Sequence, residues 1–163
     1  MDSIQQDLDG FKKQLENGSL QRAYRALIAY MSALRTHFAK KYGDSAVSAL
    51  YQGFMDMTYF AIFTPALKTR DLKIAIVFNY DAFRFEVWLA ARNRKVQRQV
   101  WELFKDSTLE GLRIIEPAEG IDSIVECDLA QEFDLANSDQ LTASIENTSA
   151  DFITRMEKFL AEH

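Results

Sequence analysis

The stretch Leu72–Leu103, LKIAIVFNYDAFRFEVWLAARNRKVQRQVWEL, changes its hydrophobic period partway along, and that change decides the fold. Up to Ala91 apolar and polar residues alternate with period two, the signature of strands; beyond it Val96, Val100, Leu103 and Phe104 recur at helical spacing. Two strands joined around Asp81-Ala82 are therefore expected to pair antiparallel, followed by a helix from about Asn93 to Lys105 with Asn93 as its cap. Alternation also sorts the faces. Leu72, Ile74, Ile76 and Phe78 share one face of the first strand, and Lys73, Ala75, Val77 and Asn79 the other. In the second strand Phe83, Phe85, Val87 and Leu89 oppose Arg84, Glu86, Trp88 and Ala90. A two-residue turn pairs Asn79 with Arg84, Val77 with Glu86, Ala75 with Trp88 and Lys73 with Ala90, so both polar sets fall on one side. A three-residue turn would dissolve that cluster.

Working outward, residues 3–17 read as a helix with Ser3 as cap, Ile4, Leu8, Phe11 and Leu15 as its stripe and Asn17-Gly18 as its stop. A longer helix from Ser19 to about Tyr42 follows, and the two are expected to form a hairpin laid on the sheet. The aromatic run LYQGFMDMTYFAIF at 50–63 favours a strand, with Gly53 marking a bulge or a late start. LRIIE at 112–116 and DSIVECDL at 122–129 read as two more strands, and Ser138 to about Ala161 as a closing helix that Asn147-Thr148-Ser149 threatens to split. The expected fold is α+β, residues 1–163 forming one domain: a largely antiparallel sheet of about five strands, an N-terminal helical hairpin, a central helix and a C-terminal helix.

Composition narrows the function classes. A chain of 163 residues that is 48% hydrophobic and 26% charged has the mix of an ordinary globular protein. Its first residues lack a secretory pattern and no apolar run approaches a membrane span, which points to the cytoplasm and away from membranes. The single Cys127 suits a reducing compartment, and alternation with Val125 and Leu129 beside Glu126 and Asp128 reads it as an inert core thiol. Net charge divides along the chain: residues 1–105 hold 16 Lys+Arg against 10 Asp+Glu, residues 106–163 only 3 against 14. Either the acidic third packs beside the basic part, or a basic face stays exposed for an anion.

The polar face Lys73, Asn79, Arg84, Glu86, Trp88, with Arg92 at its end and Asp56 if it lies on a neighbouring strand, is the candidate site. Glu86 and Asp56 would accept hydrogen bonds, Arg84 and Lys73 neutralise an acid group, and Trp88 stack on a flat ligand, with Arg92 and Asn93 at the edge. The competing reading is the ordinary solvated face of an antiparallel sheet. RNRKVQR at 92–98 is a basic helix entrance, but without a glycine-rich phosphate loop it reads as a solvated patch, and nucleic acid is not an expected partner. A Mg²⁺-dependent nuclease or phosphodiesterase of restriction-endonuclease-like fold would use Asp56 and Glu86, yet Trp88 stands where its lysine belongs. With His37 and His163 the only histidines, neither a zinc cluster nor a histidine-based triad is supported, so no cofactor, metal site or catalytic constellation is expected. A third reading makes the aromatic 50–63 strand a homodimer or interaction surface.

LYQGFMDMTYF at 50–60, LKIAIVFNY at 72–80 and FRFEVWLAARNRKVQ at 83–97, more weakly DSIVE and the last helix, resemble a bacterial domain-of-unknown-function family over about two thirds of the chain. The resemblance implies a compact cytoplasmic domain and no mechanism. The resulting expectation is a small domain that binds a small polar ligand or a protein partner.

Overall fold

The computed structural model describes residues 3–163. Helix α1 (Ile4–Leu15) opens with a capping box: the Ser3 hydroxyl accepts from the Gln6 amide at 3.2 Å, and the Ser3 amide donates to the Gln6 side chain at 2.7 Å. Gly18, at φ 74°, turns the chain in the left-handed region that glycine tolerates, and α2 (Ser19–Lys41) follows directly. A two-residue strand β1 (Ala46–Val47) leads to β2 (Met57–Phe63), the one-turn α3 (Pro65–Lys68), β3 (Leu72–Asn79) and β4 (Arg84–Ala91). Then come α4 (Arg94–Phe104), β5 (Arg113–Ile114), β6 (Ser123–Ala130), a 3₁₀ turn and α5 (Ser138–Ala161).

The sheet has six strands in the order β1-β2-β3-β4-β6-β5, every neighbouring pair antiparallel. The register of the central hairpin is the one the alternation dictates: Asn79 faces Arg84, Val77 faces Glu86, Ala75 faces Trp88 and Lys73 faces Ala90. The turn itself runs from Tyr80 to Phe83, with Phe83 at φ 51° and the Asn79 side chain accepting from the Ala82 amide at 3.3 Å. Because the two strands lose one residue each, the longer turn keeps the same pairing.

One face of this sheet carries the core. Phe60, Ile62, Ile74, Ile76, Phe78, Phe85, Val87 and Leu89 are fully buried there. They meet Met31, Leu34 and Phe38 of α2, Phe104 of α4, and Ile145, Phe152 and Met156 of α5. The Tyr30 hydroxyl, 2.9 Å from that of Thr142, joins α2 to α5 over the sheet.

One expectation is corrected and two open alternatives are decided. Of the two outcomes that Gly53 offered in the stretch 50–63, the late start is the one found: regular pairing begins only at Met57, and Tyr51 folds back to bridge Tyr59, through a loop that needs positive φ at Gly53 and Met55. Helix α1 buries no residue, so only α2 lies on the sheet. Helix α5 is unbroken, because Ser149 is a small residue turned into the core while Asn147 faces solvent.

Candidate functional site

The other face of the sheet has no helix in its apolar packing. Ala75, Val77 and Trp88 are its buried members, with Met57 and Tyr59 packed beside them, all from strands. The registers lay its side chains out in rows: Met57, Asn79 and Arg84; Tyr59, Val77, Glu86 and Asp128; Ala61, Ala75, Trp88, Glu126 and Arg113; then Lys73, Ala90 and Ser123. The β2–β3 side of this face is mainly apolar, and the β4–β6–β5 side is charged. Trp88 lies on the seam.

On the charged side Glu86 is 1% exposed. Its Oε1 accepts the Trp88 indole N–H at 2.8 Å and its Oε2 accepts Arg84 Nε at 2.6 Å, with the Asn79 amide 3.5 Å away. Arg84 also lies 3.2 Å from Asp128. Arg113 donates to Asp128 at 2.8 Å and to Glu126 at 3.1 Å, and reaches within 3.8 Å of Glu86; Ser123 donates to the second oxygen of Glu126 at 2.5 Å. Burial works against the Arg113 charge, but its bonds to Asp128 and Glu126 outweigh this and hold its pKa above the ordinary arginine value. Two guanidiniums thus interleave three carboxylates. That lattice leaves Glu86 no free oxygen for a ligand; its effect is to fix the Trp88 ring.

The apolar side holds the space. A hollow of about 180 Å³ is lined by Met57, Tyr59, Ala75, Trp88, Ala90 and Lys73, with Arg92 and Asp122 at its rim. A second, of about 430 Å³, lies between Phe63, Lys68, Asp71, Leu72, Lys73 and Arg92. Lys73 and Arg92 belong to both. Arg92 stands 3.7 Å from Asp71, and Asp122 is held by Arg94 at 3.2 Å. Lys73 has no carboxylate within ion-pair distance among the described residues and lies 5.9 Å from the Tyr59 ring. Burial, and secondarily the Asp122 charge, push the Tyr59 hydroxyl up, so it stays a protonated donor.

The remaining candidates separate. Asp56 is not on a strand: its carboxylate accepts from the Phe54 amide at 2.8 Å, and this bond, then one from Met57, holds it below the usual carboxylate range. It closes its own loop and shares no hydrogen bond or cation with Glu86 among the described residues. Asn93 caps α4 by accepting from the Val96 amide at 2.9 Å. His37 and Lys41 of α2 both meet Glu146 of α5. Cys127 is half-buried toward α5; burial first, then Asp128, raises its thiol pKa. Among the described residues no group of three or more His, Cys, Asp or Glu is placed to hold a metal, and no helix is long and apolar enough to cross a membrane. Of the aromatic residues in the 50–63 stretch, Phe60 is in the core, Phe54, 89% exposed, projects from the loop, and Tyr51 is exposed with its ring 5.1 Å from that of Tyr59. Sequence reading missed Ser123, Glu126, Asp128 and, central to the lattice, Arg113. Its signal was alternation in LRIIE, which puts Arg113 and Ile114 on opposite faces.

The chain belongs to the family described as a domain of unknown function (DUF7000), which matches residues 4–160. Searches of curated proteins and of solved structures give no match.

Proposed function

We propose that this member of the family binds a small planar organic anion on the uncovered sheet face. The observation that carries the reading is Lys73, a cation with no carboxylate partner among the described residues, set where two hollows meet beside Tyr59 and the fixed Trp88. A carboxylate or monophosphate group would take a charge-assisted bond from Lys73, with Arg92 close by. The flat part would lie over Ala75 and Ala90, whose small side chains leave room between the two aromatic rings. Glu86 and Arg84 then hold Trp88 in place and do not touch the ligand.

Thermal melting against aromatic carboxylates and aromatic monophosphates tests this. A ligand at a hundredfold excess over its Kd stabilises the native state by about 2.7 kcal/mol. The expected result is a raised midpoint in the wild type that Lys73→Gln abolishes, the group giving the larger shift identifying the acid. Absence of a shift throughout the panel, or an equal shift in Lys73→Gln, overturns the reading.

A further inference from the structure

Helix α1 has an apolar stripe with nothing among the described residues over most of it. Ile4, Leu8 and Phe11 are 74%, 51% and 50% exposed, and the helix contributes no residue to the core. Among the described residues only its C-terminal end is tied down: Leu15 is half-buried, its carbonyl accepts from the Gln21 side chain at 3.0 Å, and Arg22 donates to the Asn17 carbonyl at 3.3 Å. A helix of 12 residues is marginal in water unless its apolar face is packed. The stripe therefore calls for a cover.

We infer that the cover is α1 of a second copy, laid antiparallel about a two-fold axis between Asp9 and Gly10. The spacing 4, 8, 11, 15 alternates steps of four and three, the interval of a coiled-coil seam. It also reads the same from either end: reversal places Ile4 on Leu15 of the other copy and Leu8 on Phe11. An isologous contact requires that self-complementarity. Charge selects the same orientation. Asp7 and Asp9 occupy the N-terminal half and Lys12 and Lys13 the C-terminal half, so an antiparallel pair sets acidic beside basic halves and opposes the helix dipoles. A parallel pair would align like with like. Four apolar side chains per copy make a contact well below the roughly 800 Å² per partner of a standard interface, which places the dissociation constant in the micromolar range or weaker.

Sedimentation velocity of the full chain from roughly 1 to 500 µM tests this across the affinity range that such an interface implies. The wild type is expected to pass from monomer to dimer, with Leu8→Glu raising the dissociation constant at least about 100-fold while leaving the melting midpoint of the monomer in place. Phe11→Gln, a milder change on the same seam, should weaken the dimer in the same direction. A wild type that stays monomeric throughout, or a dimer that both variants leave intact, overturns the inference. Orientation is read by oxidation in a Cys127→Ser background: Ile4→Cys and Leu15→Cys proteins should cross-link when mixed, whereas cross-linking of Ile4→Cys with itself at the expense of the mixed species overturns the antiparallel pairing.

Discussion

Glu86 shows how one carboxylate can be structural while resembling a site. It is buried, and what makes burial tolerable is that the Trp88 indole and the Arg84 guanidinium satisfy both its oxygens, with Arg113 near. Removing it leaves the indole donor without its acceptor and the partly buried Arg84 guanidinium with Asp128 alone, 3.2 Å away. Glu86→Ala is expected to lower stability by about 3 kcal/mol in urea titration and to shift Trp88 emission to the red, with a smaller loss in Glu86→Gln. An unchanged midpoint and emission would mean that the lattice does not set the ring. Most of this cluster was legible: alternation and a short turn are enough to place Lys73, Asn79, Arg84, Glu86 and Trp88 on one face. Asp56 was not, because its loop is built from positive φ at Gly53 and Met55, which hydrophobic period does not encode. Nor was Arg113 seen as a partner of Glu86, since that depends on β6 inserting between β4 and β5.

Elements with a clear period were read closely, and those too short to have one were not. The two residues of β1 give no alternation to detect, and the exposed stripe of α1 is indistinguishable in sequence from a buried one. Helix α5 carries two consequences of its packing on α2 and the sheet. Ser149 is fully buried and its hydroxyl has no partner among the described residues, so Ser149→Ala removes an unpaid desolvation cost and improves helix propensity. A gain of about 1 kcal/mol is expected, read as a midpoint about 3 °C higher; a loss would show that the hydroxyl is satisfied in solution. Glu146 faces α2, where hydrogen bonds from Lys41 and then His37 hold its pKa below the ordinary range. A pKa depressed on folding gives stability that is present above the unfolded value and lost as pH falls through the folded one. Acid destabilisation between those values should be shallower in Glu146→Gln than in the wild type, and parallel curves would remove Glu146 from that transition.

The charge division along the chain becomes cohesion in the folded molecule. Residues of the basic first part meet the acidic last part at Arg84 and Asp128, Arg94 and Asp122, and Lys41 and His37 with Glu146. Thr64 donates to Glu157 at 2.6 Å, and Arg70 to the Leu160 carbonyl at 2.6 Å. Exposed pairs of this kind contribute little individually. Topology does more, because β6 lies directly beside β4, so the late part of the chain completes a sheet that the hairpin begins. Neither part can bury its apolar face alone: Phe104 stacks on Phe159 at 4.1 Å, and the core residues of β3 and β4 lie under α5 as well as α2. We therefore propose that residues 1–163 unfold as one cooperative unit. Urea unfolding followed by tryptophan fluorescence, which reports Trp88 and Trp101, and by far-UV circular dichroism should give coincident transitions, with a slope of about 2 kcal/mol per molar. Fluorescence that changes before the helical signal would show that the hairpin and α4 can let go while α2 and α5 persist, and would divide the chain into two folding units.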